Sequence, residues 1–89
     1  MKKDFSNDLN TIKFKDFSNY LEENNCFGLT ASKRKNTIIY FFERYFIGLF
    51  LHLKIKVDRK TKNVISVMVE DKSYTDLDKI KKLVEKKWK

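Results

Sequence analysis

One histidine, one cysteine and no proline leave this chain few ways to do bond-breaking chemistry. His52 is the sole imidazole, so zinc sites built from paired histidines are excluded. Cys26 alone excludes an internal disulfide and a cysteine-based zinc site. No glycine-rich phosphate loop or Walker-type lysine occurs. Asp76 and Asp78 are close carboxylates, but they open a helical stretch, where capping accounts for them. The one catalytic constellation the residue types allow is Arg44, His52 and Lys54 on neighbouring strands. Cationic donors would stabilise charge on a scissile phosphate while the imidazole moves protons near neutral pH, as in a metal-independent ribonuclease toxin. Nothing in the spacing fixes those roles, and a histidine beside lysines is ordinary surface. The expectation is no catalytic residue, no metal and no cofactor.

Binding is better marked. Twenty Lys/Arg against 12 Asp/Glu leave +8, and the excess is uneven. Residues 1–30 carry −1 and residues 65–89 carry +2, whereas residues 31–64 hold nine basic and two acidic groups, +7. The nine are Lys33, Arg34, Lys35, Arg44, Lys54, Lys56, Arg59, Lys60 and Lys62. Each Lys or Arg that meets a phosphate releases condensed counterions, so a patch of this kind attracts nucleic acid. It forms one surface only if the 33–35 loop lies at the same edge as the second strand and its hairpin. Tyr40 and Phe50 are then candidates to stack on bases or to contact a partner. The expected function is a small basic nucleic-acid-binding accessory or regulatory domain, with DNA and RNA undistinguished because charge attracts both. The ordinary alternative is that these lysines keep a small domain soluble and its sheet edges from aggregating. Lys79, Lys82, Lys86 and Lys89 make a second basic stripe at helical spacing, weakened by Glu85.

The elements that must position these groups follow from periodicity. Phe14, Phe17, Tyr20 and Leu21 recur at helical spacing, and Asn24–Asn25 tolerates the left-handed stop, giving a first helix over Phe14–Asn24. Cys26–Asn36 reads as a connection. Thr37–Arg44 is β-branched and aromatic throughout, which favours a strand over a helix. Leu49, Leu51, Leu53, Ile55 and Val57 alternate with Phe50, His52, Lys54, Lys56 and Asp58, a half-buried strand. Asp58–Asn63 has the make-up of a hairpin loop, and Val64–Glu70 returns with Ile65, Val67 and Val69 on the apolar face. Asp76–Trp88 is a second helix, capped by Thr75, with Leu77, Ile80, Val84 and Trp88 as its buried stripe. The expected fold is α+β: helix, three-stranded antiparallel sheet, helix (α-β-β-β-α), both helices on one face.

At 89 residues the chain has room for one domain, expected over residues 11–89 behind a flexible N-terminus at residues 1–10. Residues 38–57 are long enough to cross a bilayer, but Glu43, Arg44, His52, Lys54 and Lys56 interrupt them, so no membrane association is expected. The polar start and the lone cysteine suit a cytoplasmic protein. Tyr40, Phe41, Phe42, Tyr45, Phe46 and Phe50 exceed what one thin core holds. This aromatic surplus supports the alternative function, a protein-interaction module such as a small phage- or plasmid-type inhibitor of a host enzyme. A homodimer contact would also absorb it.

Overall fold

The computed structural model describes residues 9–46 and 49–85, with the side chains at 45, 46, 49 and 50 left aside. A 3-10 turn, Leu9–Thr11, leads into helix α1, Phe14–Glu23. Five strands follow: β1 Cys26–Lys33, β2 Thr37–Phe46, β3 Leu49–Asp58, β4 Val64–Val69 and β5 Lys72–Tyr74. Helix α2, Leu77–Val84, closes the order. All five strands pair antiparallel with their sequence neighbours in one meander, β1-β2-β3-β4-β5.

The sheet therefore corrects the three-stranded expectation, although the class remains α+β. Both extra strands lie at edges. Cys26–Lys33 is strand β1, not a connection, and only Cys26 of its eight residues is buried. An edge strand with one inward anchor leaves no alternating hydrophobic record for periodicity to detect. β5 is three residues long and polar, reached through a turn in which Glu70 takes a φ of 55°.

The core lies on one face. Along β3, Leu53, Ile55 and Val57 point inward, directly opposite Phe42, Tyr40 and Ile38 of β2. Phe17 and Leu21 of α1, and Leu77, Ile80 and Val84 of α2, pack into the same cluster from above. Each fully buried aliphatic or aromatic side chain contributes about 1.5–3 kcal/mol. On β4 the register shifts beside Val57, so Val64 opposes Val57 and is buried, while Ile65 is 36 % exposed. Ile65 thus leaves the apolar face assigned to it, because a bulge inserts one residue and inverts the alternation beyond it.

The helix ends are set by local bonding. Asn25 has a φ of 64° just beyond α1, a conformation that asparagine tolerates. The Asp76 carboxylate accepts from the Asp78 N–H at 3.0 Å and caps α2, the role expected of Thr75. The helix is shorter than the expected Asp76–Trp88, since Asp76 is its N-cap and Glu85 its C-cap; residues 86–88, including Trp88, lie outside the described residues. Residues 1–8 of the expected flexible segment do so too, while Leu9 and Asn10 belong to the 3-10 turn, with Leu9 buried. No helix among the described residues is long and apolar enough to cross a membrane, and the apolar 38–57 stretch is mainly the β2–β3 pair.

Candidate nucleic-acid interface

In a meander, alternate hairpin turns emerge at the same end of the sheet. Thr37 of β2 pairs with Asp58 of β3, so the β1–β2 turn and the β3–β4 turn leave side by side. They are bonded to each other. The Arg59 guanidinium donates to the Arg34 carbonyl at 2.9 Å, and the Arg59 N–H donates to the Asn36 carbonyl at 3.0 Å. Lys33, Arg34 and Lys35 therefore share one exposed end with Arg59, Lys60 and Lys62.

The β3–β4 turn is internally fixed. Asp58 accepts from the Thr61 and Lys60 N–H groups at 3.0 and 2.8 Å, which holds its carboxyl below the usual carboxylate range. Its charge is thus committed to the turn's own amides as well as to the cations around it. Lys62 sits at a φ of 68°.

A further cation joins this end, one the sequence does not single out. The Phe14 N–H donates to the Lys62 carbonyl at 2.8 Å, and the Lys13 ammonium donates to the Thr61 carbonyl at 2.8 Å. The start of α1 is thereby pinned beside the turn, with Asp16 following in its first turn. These bonds and the bridge between Lys13 and Asn63 are all long-range, and no local pattern encodes them.

From this end a basic track runs back along the face of the sheet opposite the helices. Lys56 and Lys54 are exposed on β3, opposite Ile39 and Phe41 of β2. They lie about 7 Å apart, two residues along one strand. His52 continues the line, opposite Glu43. Lys54 Nζ is 5.8 Å from the centre of the Phe41 ring, within cation–π range.

Two expected site residues fall elsewhere. Arg44 shares the inward face with Phe42, paired between Cys26 and Leu51, and is only 6 % exposed. Strand alternation forces this, since Phe42 must face the helices and Arg44 stands two residues on. Tyr40 is also inward, its ring stacked on Phe14 with centroids 3.7 Å apart and planes at 13°. It is a packing residue, with that ring face already covered. The suggested cluster of Arg44, His52 and Lys54 is split across the sheet, because His52 opposes Glu43 and not Arg44. The Phe50 side chain lies outside the described residues.

The helix stripe does not join the site. Lys79 and Lys82 are exposed on α2, which covers the opposite face, and Lys86 and Lys89 lie outside the described residues. At the C-terminal end of that helix, the Tyr20 hydroxyl donates to the Glu85 carboxylate. Burial first, and then this bond, raise the phenol's pKa. Among the described residues no group of three or more His, Cys, Asp or Glu side chains is placed to hold a metal ion.

Sequence reasoning missed the exposed apolar residues of β1. Phe27 and Leu29 on β1 are each 57 % exposed. The signal that would have found them is the strand character of Phe27–Thr30, hidden by Gly28 and by a bulge between Gly28 and Thr30. No family model, no curated protein and no solved structure matches this chain.

Proposed function

We propose that the protein is a nucleic-acid-binding domain that takes the phosphate backbone at the end formed by its two basic turns. One observation carries this. Arg59 bonds to the backbone of both Arg34 and Asn36, so cations from two separate stretches are held together by the fold. The positive charge is concentrated where a polyanion would meet it, and Lys54 and Lys56 extend it along the sheet. Eight of the nine basic residues of the 31–64 segment support this surface; Arg44 does not.

Fluorescence anisotropy with single-stranded DNA, duplex DNA and duplex RNA at two salt concentrations tests the proposal. Binding should weaken with salt at a log–log slope of about 0.7–0.9 per phosphate contacted. Replacing Lys33, Lys35, Lys60 and Lys62 with Glu should abolish it while the circular dichroism spectrum is kept. Arg59 is left in place because it also joins the turns. Absence of salt-sensitive binding to every oligonucleotide would overturn the proposal.

The exposure of Phe27 and Leu29 favours a second reading, a protein-interaction module that docks on a partner through β1. In that case the oligonucleotide titrations stay flat and the Glu variant behaves as the parent.

A further inference from the structure

Among the described residues no element covers the face of the sheet turned away from the helices, and its side chains are not those of an inert solvent face. Across its middle, Thr30, Phe41, Lys54, Met68 and Ser73 stand in one row, each opposite the next on neighbouring strands. In the adjoining row Phe27 opposes Glu43, which opposes His52. Phe27 and Phe41 are therefore diagonal neighbours on adjacent strands, about 7–8 Å apart at the backbone. Phe27 is 57 % exposed, and Phe41 is only partly covered.

We propose that this face binds single-stranded nucleic acid, with bases laid on Phe41 and Phe27 and phosphates drawn along Lys54 and Lys56 toward the basic turns. The inference rests on the nucleic-acid function proposed above and names its ligand class. Aromatic rings on an open sheet offer a surface on which any base can stack, and cations beside them hold the backbone. A duplex hides its base faces within the stack, so it would use the basic turns alone. The exposed Lys54 side chain, whose ammonium lies 5.8 Å from the Phe41 ring centre, is free to swing from the ring to a phosphate.

Charge decides between this occupant and a second copy of the chain. Two such faces brought together would set Lys54 and Lys56 against their own copies on a protein that already carries +8, and like charges repel across such a contact. A polyanion neutralises the same lysines. Two carboxylates border these rows, Glu43 opposite His52 and Glu70, whose side chain accepts from the His52 N–H at 3.3 Å; both lie at the His52 end, away from the basic turns.

Anisotropy titrations of labelled 12-nucleotide oligo(dT) and oligo(U), and of 12-base-pair duplexes, test the inference with the full chain. Single strands should bind more tightly than duplexes of equal length. Phe41→Leu keeps an apolar side chain of similar bulk and removes the ring. It should weaken single-strand binding about tenfold, leave duplex binding unchanged, and be rescued by Phe41→Tyr. Crosslinking of 4-thiouridine-containing oligo(U) should map to the peptides carrying Phe27 and Phe41. Oligo(dT) and oligo(U) separate DNA from RNA as the strand taken; a preference for either supports the inference.

If Phe41→Leu and Phe27→Leu bind single strands like the parent while the lysine-to-Glu turn variant loses all binding, the stacking face is overturned and the basic-turn function stands. A dimer in sedimentation that Phe41→Leu dissolves also overturns it in favour of self-association. No binding to any oligonucleotide overturns both.

Discussion

Arg59 donates from its guanidinium to the backbone carbonyl of Arg34, 2.9 Å across the gap between two hairpin turns. Two segments of like charge are held side by side by a carbonyl dipole, and its partner bond from the Arg59 N–H to Asn36 uses backbone on both sides. The convergence of cations thus follows from strand register and main-chain bonding. A bound polyanion would relieve the repulsion between these like charges.

Arg44 belongs to the stability of the protein and not to its affinity. It is 6 % exposed between Cys26 and Leu51. Truncation to Ala removes a side chain packed on the inward face and should cost about 0.5–3 kcal/mol, read as a lower urea midpoint. Oligonucleotide affinity of the folded protein should match the parent. A large loss of affinity at unchanged stability would place Arg44 in the interface after all.

Lys62 separates charge from conformation. At a φ of 68° an L-residue is strained by about 1–2 kcal/mol, which glycine avoids. Lys62→Gly should hold or raise the melting temperature by a few degrees, glycine's greater unfolded-state freedom offsetting part of the gain. The same substitution removes one cation, so the salt slope should fall by about 0.7–0.9 if Lys62 meets a phosphate.

Cys26 should be inert in the folded state. Burial pushes its thiol up to about 11, opposed in part by Arg44, and the thiolate is the reactive form. A disulfide reagent at pH 8 should label it slowly in the native protein and fast in guanidinium. The same shift carries a sign for stability. A folded pKa above the unfolded value contributes stability that is intact below the unfolded thiol pKa and is lost as pH rises toward 11.

Asp58 works in the opposite direction. Its carboxyl is held low by the Thr61 and Lys60 amides. The turn is therefore stabilised above the unfolded carboxyl pKa, and that contribution is lost as pH falls through the lower folded one. An NMR titration should show the Asp58 carboxyl ionising below an unstructured aspartate, and Asp58→Ala should lower the melting temperature at pH 7 while leaving it nearly unchanged at pH 2.

The central hairpin was legible in the amino-acid order, because β3 alternates without interruption and Asp58–Asn63 carries turn chemistry. Helix α1 was legible for the same reason, a strong period followed by two asparagines. The basic character of residues 31–64 was likewise set by composition. Three things were not. β1 and β5 are edge strands, whose pairing is backbone bonding on one side and demands little of the side chains, so they leave no period. The face taken by Arg44 and Tyr40 depends on which alternate residues of β2 meet the helices, and aromatic residues at nearly every position hid that choice. Finally, the union of the two basic turns with Lys13 rests on contacts between residues tens of positions apart. The chain order settled how much charge and how many rings the protein carries; only packing of the helices against one side of the sheet decided which of them stay in water.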